Sequence, residues 1–216
     1  YIKDKKDLNG KIVLLRLDLN VPIKNGKITD ETRIDKILPI FKYLIEKNSK
    51  IIVISHIGRP KGVESEKLSL DPVCKCLETK LQKKIELIKD NIYNLNKKNL
   101  SKKFVDQIIF LENIRFYKEE ENNNNEFSKQ LASLGDLFVN DAFSCSHRTH
   151  ASVCRITKFL PSYAGLQFET EINALKKVTT EIKKPITCIV GGSKISTKIP
   201  VIKNLIPKFD NIIVVG

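Results

Sequence analysis

At 216 residues with 41% hydrophobic side chains, the chain is long enough to bury a core and too apolar to be disordered throughout. No apolar run reaches the roughly 18–20 residues of a transmembrane helix, which excludes a membrane-spanning helix, and the charged opening 1–7 lacks the apolar stretch of a secretory signal. The net charge of +13 comes from 32 Lys but only six Arg, so most of it reads as a solvated lysine coat rather than a nucleic-acid patch.

Near-continuous apolar runs alternate with helical patterns along the chain. Strands are expected at 11–17, 50–55, 84–88, 107–111, 136–139, 187–190 and 211–215. Between them, 30–47 has a 3.6-residue apolar period, with Thr29 or Asp30 as its cap and Pro39 expected to kink or restart it. Ser69 is expected to cap a helix reaching about Leu81, with Pro72 in its first turn. Further helices are expected at 125–134, 149–158, 167–182 and 197–208, while 89–103 carries no clear pattern. The acidic, asparagine-rich stretch 119–125 reads as an exposed loop.

This alternation predicts an α/β fold, a doubly wound parallel sheet in a Rossmann-like three-layer sandwich. Residues 1–166 form a first domain, 167–184 an interdomain helix and linker, and 185–216 the first βαβ unit of a second such domain. So short a second part cannot close a core of its own, and no Met stands at position 1, so the chain reads as a fragment of a longer one. Cys74, Cys76, Cys145, Cys154 and Cys188 are odd in number and form no C-x-x-C pair. That argues against a disulfide framework or a zinc site, and suits a reducing cytoplasm.

The scarce arginines carry the chemistry, because a guanidinium offers a planar fork to phosphate or carboxylate. Ligands of open α/β sheets bind beyond the carboxyl ends of the strands. Segments expected there hold Arg16, Asp18 and Asn20; His56, Gly58 and Arg59; Arg115; and His147, Arg148 and His150, with Arg33 following shortly after the first. Such a convergence suits a small, multiply charged ligand such as a phosphorylated acid. Individually the residues have plainer readings. Arg16 serves equally as an internal ion-pair partner, Asp18 and Asn20 as loop ties, and His147 and His150 as hydrogen-bonded structural histidines. A second segment, Gly191-Gly192-Ser193-Lys194 through Lys198, places a glycine pair and lysines between a strand and a helix start. That arrangement favours phosphate but equally describes a tight turn with solvated lysines.

Five stretches in order resemble the phosphoglycerate kinase family. They are Arg16-Leu-Asp-Leu-Asn-Val-Pro22, Ser55-His-Ile-Gly-Arg-Pro-Lys-Gly62, Leu111-Glu-Asn-Ile-Arg-Phe116, Asn140-Asp-Ala-Phe143 with His147-Arg-Thr-His-Ala-Ser152, and Gly191-Gly-Ser-Lys-Ile-Ser-Thr-Lys198. The resemblance implies two lobes around a cleft, with reversible phosphoryl transfer between 1,3-bisphosphoglycerate and ADP giving 3-phosphoglycerate and ATP in glycolysis. It implies that Asp18, Leu19, Asn20, Arg33, His56, Ile57, Gly58, Arg59, Arg115 and Arg148 bind the phosphoglycerate. Gly191, Gly192 and Lys198 would meet the nucleotide, which brings Mg2+ with it, and Arg33 and Lys194 would act on the phosphoryl group in transfer. It further implies a cytoplasmic monomer with no nucleic-acid or membrane partner, and no metal ligand set of the protein's own. The adenine and ribose pocket of the family's second lobe is missing from these residues, so the chain is expected to be inactive by itself. Ser144, Cys145, Thr149 and Thr197 depart from the residues usual in the family.

Overall fold

The computed structural model describes residues 1–192 and 195–215. It divides into two compact units, Tyr1–Glu169 and Thr170–Gly216. In the first unit the chain runs β1 (Ile12–Leu17), β2 (Ile23–Lys24), β3 (Lys27–Ile28), α1 (Thr32–Glu46), β4 (Lys50–Ile54) and α2 (Asp71–Leu81). It continues through β5 (Ile85–Ile88), α3 (Lys97–Ser101), β6 (Ile108–Leu111), α4 (Lys118–Glu121), α5 (Asn125–Ala132), β7 (Leu137–Asp141) and β8 (Ser162–Ala164). Helix α6 (Leu166–Thr179) begins at its end.

Six of these strands pair side by side in the order β5-β6-β4-β1-β7-β8, every pairing parallel, and β2–β3 is a separate short hairpin. The order reverses at β1, whose neighbours β4 and β7 lie on opposite sides of it. This is the position at which open sheets part their loops to admit a ligand. The parallel, doubly covered sheet follows from sequence runs without polar alternation: all of β1, including Arg16, is buried.

Strand periodicity sorts the core into two faces. Val13, Leu15, Val53, Phe110 and Val139 point to one side, against Ile37, Phe41 and Leu44 of α1 and Val73 and Leu77 of α2. Ile12, Leu14, Ile52, Ile54, Ile109 and Phe138 point to the other, against Phe127 and Leu131 of α5. By the same alternation Arg16 continues the row of Ile12 and Leu14, so a charged group tops the second core.

The seven expected strands are all present, with differences at several other elements. Helix α1 runs unbroken through Pro39, because its buried stripe of Ile34, Ile37, Ile40, Phe41 and Leu44 is held on the sheet from both sides of the proline. Its cap position is Glu31, with no side-chain cap bond, although Asp30 still accepts from the Thr32 amide at 2.9 Å. Helix α2 starts beyond Ser69, and the Glu112 carboxylate caps it by accepting from Leu70 N at 2.8 Å and from the Ser69 hydroxyl at 2.6 Å. The stretch 149–158 is turns and a short 3-10 segment (Arg155–Lys158) rather than a helix. Its amides are diverted: Ala151 N donates to Glu120 O at 2.9 Å and Ser152 N to the Glu120 carboxylate at 2.8 Å. The stretch 119–125 is likewise not an exposed loop, since it holds most of α4, a fully buried Glu120, and Asn124 as the cap of α5.

The second unit holds most of α6, then β9 (Thr187–Gly191), α7 (Ile195–Leu205) and β10 (Asn211–Val215). β9 and β10 pair in parallel, and Asp210 fastens the entry to β9 by accepting from Ile186 N at 2.8 Å. Ile213, Val214 and Val215 remain exposed on this two-stranded sheet.

Phe41 and Phe110 stack at 6.5 Å between ring centroids, both fully buried. Truncating Phe110 to Ala is expected to cost about 3–5 kcal/mol. Denaturant unfolding of Phe110→Ala measures it, and a loss below about 1 kcal/mol would contradict the packing described.

Candidate anion site at the sheet edge

The loops after β1, β4, β6 and β7 are tied to one another at the carboxyl edge of the sheet. Ser55 begins the set: its hydroxyl accepts from Leu19 N at 3.2 Å and donates to Leu17 O at 2.9 Å. Asn20 Oδ1 accepts from Gly58 N at 2.9 Å, and Arg115 donates to Gly58 O at 2.9 Å. Asn113 donates to Ile57 O at 2.8 Å and to Leu68 O at 2.9 Å, locking the β4 loop to the β6 loop. Gly58 has φ +64, and a Cβ there would come within 2.8 Å of the Leu68 side chain, so a larger residue in this turn would be strained.

Around this frame stand the charged groups. Arg33 donates to the Asp18 carboxylate, which also accepts from the Ser144 hydroxyl. A carboxylate oxygen of Asp18, a ring nitrogen of His56 and the Cys145 sulfur lie within 4.8 Å of one another. Arg148 N donates to Cys145 O at 3.0 Å. Burial, together with repulsion from Arg148 and Arg16, pulls the Arg115 guanidinium below the ordinary arginine value. Arg115 Nε is buried without a hydrogen-bond partner, with Glu121 at 3.7 Å. Burial, and then the positive charges of Arg16, Arg115 and Arg148, push the His56 imidazole down to about 2. Both shifts come first from burial and then from neighbouring positive charge, which an anion would offset.

The sequence candidates divide accordingly. Asp18, Arg33, His56, Arg115 and Arg148 are brought together, and Asn20 and Gly58 form the frame between them. Leu19 and Ile57 are buried and hold the loops through their backbones. Arg59 follows Gly58 with an exposed side chain. Arg16 is fully buried and bonded inside the protein, at 3.0 Å to both Ser152 Oγ and His56 Nδ1. His150 is buried with Nδ1 3.6 Å from Glu120, and His147 is exposed.

In the second unit, Gly192 lies beside Lys198, whose Cε and Nζ would be 3.2 and 3.7 Å from a Cβ at that glycine. Gly191 ends β9. Lys194, the other lysine of this segment, lies outside the described residues.

Three contributors were missed in the sequence: Ser144, Cys145 and Glu120. The first two follow the Asn140–Phe143 segment directly, so their place beside Asp18 was within reach. Glu120 sits in an acidic run and gave no signal of burial.

Asp18, His56 and Cys145 are the one described group with the spacing of a metal-ligand set. The donors do not fit Mg2+, which takes oxygen ligands, and the arginines around them repel a cation. A cavity of about 560 Å3 lies elsewhere, lined by Glu64, Glu66, Asp71 and Glu112 among others. Its acidic wall has the wrong sign for a phosphate.

The fold defines an α/β protein of the doubly wound class, with arginines gathered at the carboxyl edge of its sheet. Residues 2–216 match the family model described as Phosphoglycerate kinase, and the chain belongs to that family. It is 50% identical over 210 residues to a phosphoglycerate kinase of Wolbachia sp. subsp. Brugia malayi, covering 97% of this chain and 52% of that relative. With the phosphoglycerate kinase of Dictyoglomus turgidum it shares 48% over 211 residues, covering 98% and 53%. The solved phosphoglycerate kinase of Coxiella burnetii superposes with a TM-score of 0.88 at 40% identity, over 99% of this chain and 54% of that one. That of Pyrococcus horikoshii gives 0.85 at 29%, over 100% and 55%. The chain spans about half the length of the relatives it matches.

A neutral buried His56 has a pH consequence. The unfolded chain takes up a proton below about 6.5 that the folded chain refuses, so this contribution to stability is present above 6.5 and lost as pH falls. The expected slope is roughly 1 kcal/mol per pH unit between pH 6 and 4.5. Urea unfolding of the wild type and His56→Gln across that range tests it: the variant should lose the slope due to His56, and equal slopes would contradict a neutral imidazole.

Proposed function

We propose that the first unit binds 3-phosphoglycerate, or the same end of 1,3-bisphosphoglycerate, as the substrate half of a phosphoglycerate kinase. The observation that carries the proposal is the convergence of Arg33, His56, Arg115 and Arg148 on one sheet edge, with Arg115 buried in a positive field. Guanidinium forks suit the phosphate and carboxylate of the ligand. Asp18, an acceptor among donors, suits its hydroxyl. His56 offers a neutral N–H, and Asn20, Arg59 and the backbones of Leu19, Ile57 and Gly58 complete the pocket.

The reaction this supports is phosphoryl transfer between the acyl phosphate of 1,3-bisphosphoglycerate and ADP, without a covalent intermediate. The protein's part is to align the reactants, exclude water and stabilise charge. Arg33, exposed at the rim of the site, and Lys194 are assigned to the group in transfer. Gly191, Gly192 and Lys198 are assigned to the nucleotide phosphates. The nucleotide would arrive with its own Mg2+, since the acidic and thiol groups of the first unit do not suit that ion. These 216 residues are expected to bind phosphoglycerate without measurable turnover, because the second unit supplies a single strand–helix–strand for the nucleotide. A glycolytic role in the cytoplasm, as a monomer, is the setting we assign. Five free cysteines suit that compartment.

Calorimetric titration with 3-phosphoglycerate tests the reading. Saturable binding is expected for the wild type and for Lys36→Ala, which changes an exposed lysine of α1. Arg148→Ala should weaken it about 10–100-fold, the effect of one or two charged hydrogen bonds. No binding in a folded sample, or equal binding by both variants, would refute it.

A further inference from the structure

We propose that Glu120 is a positioning residue: through Ser152 and Arg16 it fixes His56 as the tautomer with its proton on Nε2, the ring's donor for a ligand oxygen. Only the identity of that ligand rests on the phosphoglycerate reading; the hydrogen-bond chain does not.

Glu120 is fully buried, and its two carboxylate oxygens take both protons that Ser152 offers. The Ser152 hydroxyl donates to Oε1 at 2.6 Å and its amide to Oε2 at 2.8 Å. With its hydrogen committed there, Ser152 Oγ presents a lone pair, and Arg16 Nε donates to it at 3.0 Å. Arg16 NH1 donates to Leu17 O and reaches Ile54 O at 3.5 Å. A guanidinium is planar, so holding Nε and NH1 also sets the direction of NH2, which lies 3.0 Å from His56 Nδ1. Arginine has no lone pair to offer, so Nδ1 must be the acceptor. A neutral ring accepting there keeps its hydrogen on Nε2.

The charge balance points the same way. Burial alone would raise the Glu120 carboxyl, but His150, Arg16 and Ser152 hold it below the usual carboxylate range. It is therefore the counter-charge of a guanidinium with no access to water. Glutamine at this position turns one acceptor into an N–H donor facing the donors of Ser152. The Ser152 bonds are disturbed and Arg16 loses its buried counter-charge, which loosens the guanidinium that orients the ring.

The test is 15N NMR of the His56 ring in the 216-residue protein, paired with 3-phosphoglycerate titration. The wild type should show a single neutral tautomer protonated at Nε2. Glu120→Gln should show mixed ring tautomers and bind about tenfold more weakly, the effect of one charged hydrogen bond. Glu119→Gln should match the wild type in both readouts. Ser152→Thr, which keeps the hydroxyl, should stay close to it, whereas Ser152→Ala should reproduce Glu120→Gln. If Glu120→Gln does not fold, Ser152→Ala carries the same decision. A wild-type ring protonated at Nδ1 would overturn the proposal. So would a less stable Glu120→Gln that keeps the Nε2–H ring and wild-type affinity, since that is a purely structural effect. A ring that responds as expected in a protein without affinity for phosphoglycerate would support this inference and refute the function proposed above.

Discussion

A guanidinium with no exposed surface, Arg16, stands at the end of the central strand and has to be neutralised inside the protein. A buried charge is costly unless it is hydrogen-bonded, so the surrounding chain is constrained to supply its partners. Those partners come from across the sequence: Ser152 and His56 by side chain, Leu17 and Ile54 by backbone, and Glu120 behind Ser152. One charged group thereby joins the loops after β1 and β4 to the segment following β7, and draws α4 inward. The same joining brings Arg33, Arg115 and Arg148 around Asp18 and His56.

The electrostatics have two layers. Beneath, the Arg16 charge is matched by Glu120 through Ser152. Above, Asp18 is paired with Arg33, and Arg115 donates to Gly58 O and has the Glu121 carboxylate at 3.7 Å while Arg148 repels it. The lower layer is balanced and dry; the upper one is left positive. Positive charge left at the carboxyl edge of a parallel sheet is what supports the anion reading proposed above.

Much of this was legible from residue order. The apolar runs gave the strands because parallel strands covered on both faces have no polar alternation to hide them. The arginine-bearing segments pointed to one sheet edge because they follow such runs, and the structure gathers Arg33, Arg115 and Arg148 there. What could not be read depended on long-range bonds. The stretch 149–158 has helical periodicity, yet Glu120 takes the amides of Ala151 and Ser152. Glu120 itself sits among glutamates and asparagines and is indistinguishable from solvent-facing neighbours until Ser152 and Arg16 are beside it. Pro39 argued for a kink or a restart in α1, and with the flanking apolar residues held on the sheet the helix does not restart. The roles of Arg16 and His150 were open in the sequence. The structure places both in internal contacts.

The central claim is that guanidinium groups distant in sequence serve one bound anion. Side-chain 15N spectra of the six arginines, recorded as 3-phosphoglycerate is added, test it most directly. The account predicts that the Nε–H signals of Arg33, Arg59, Arg115 and Arg148 shift together along one saturation curve, while that of Arg155 stays in place. Shifts confined to one arginine, or spread equally over all six, would contradict it.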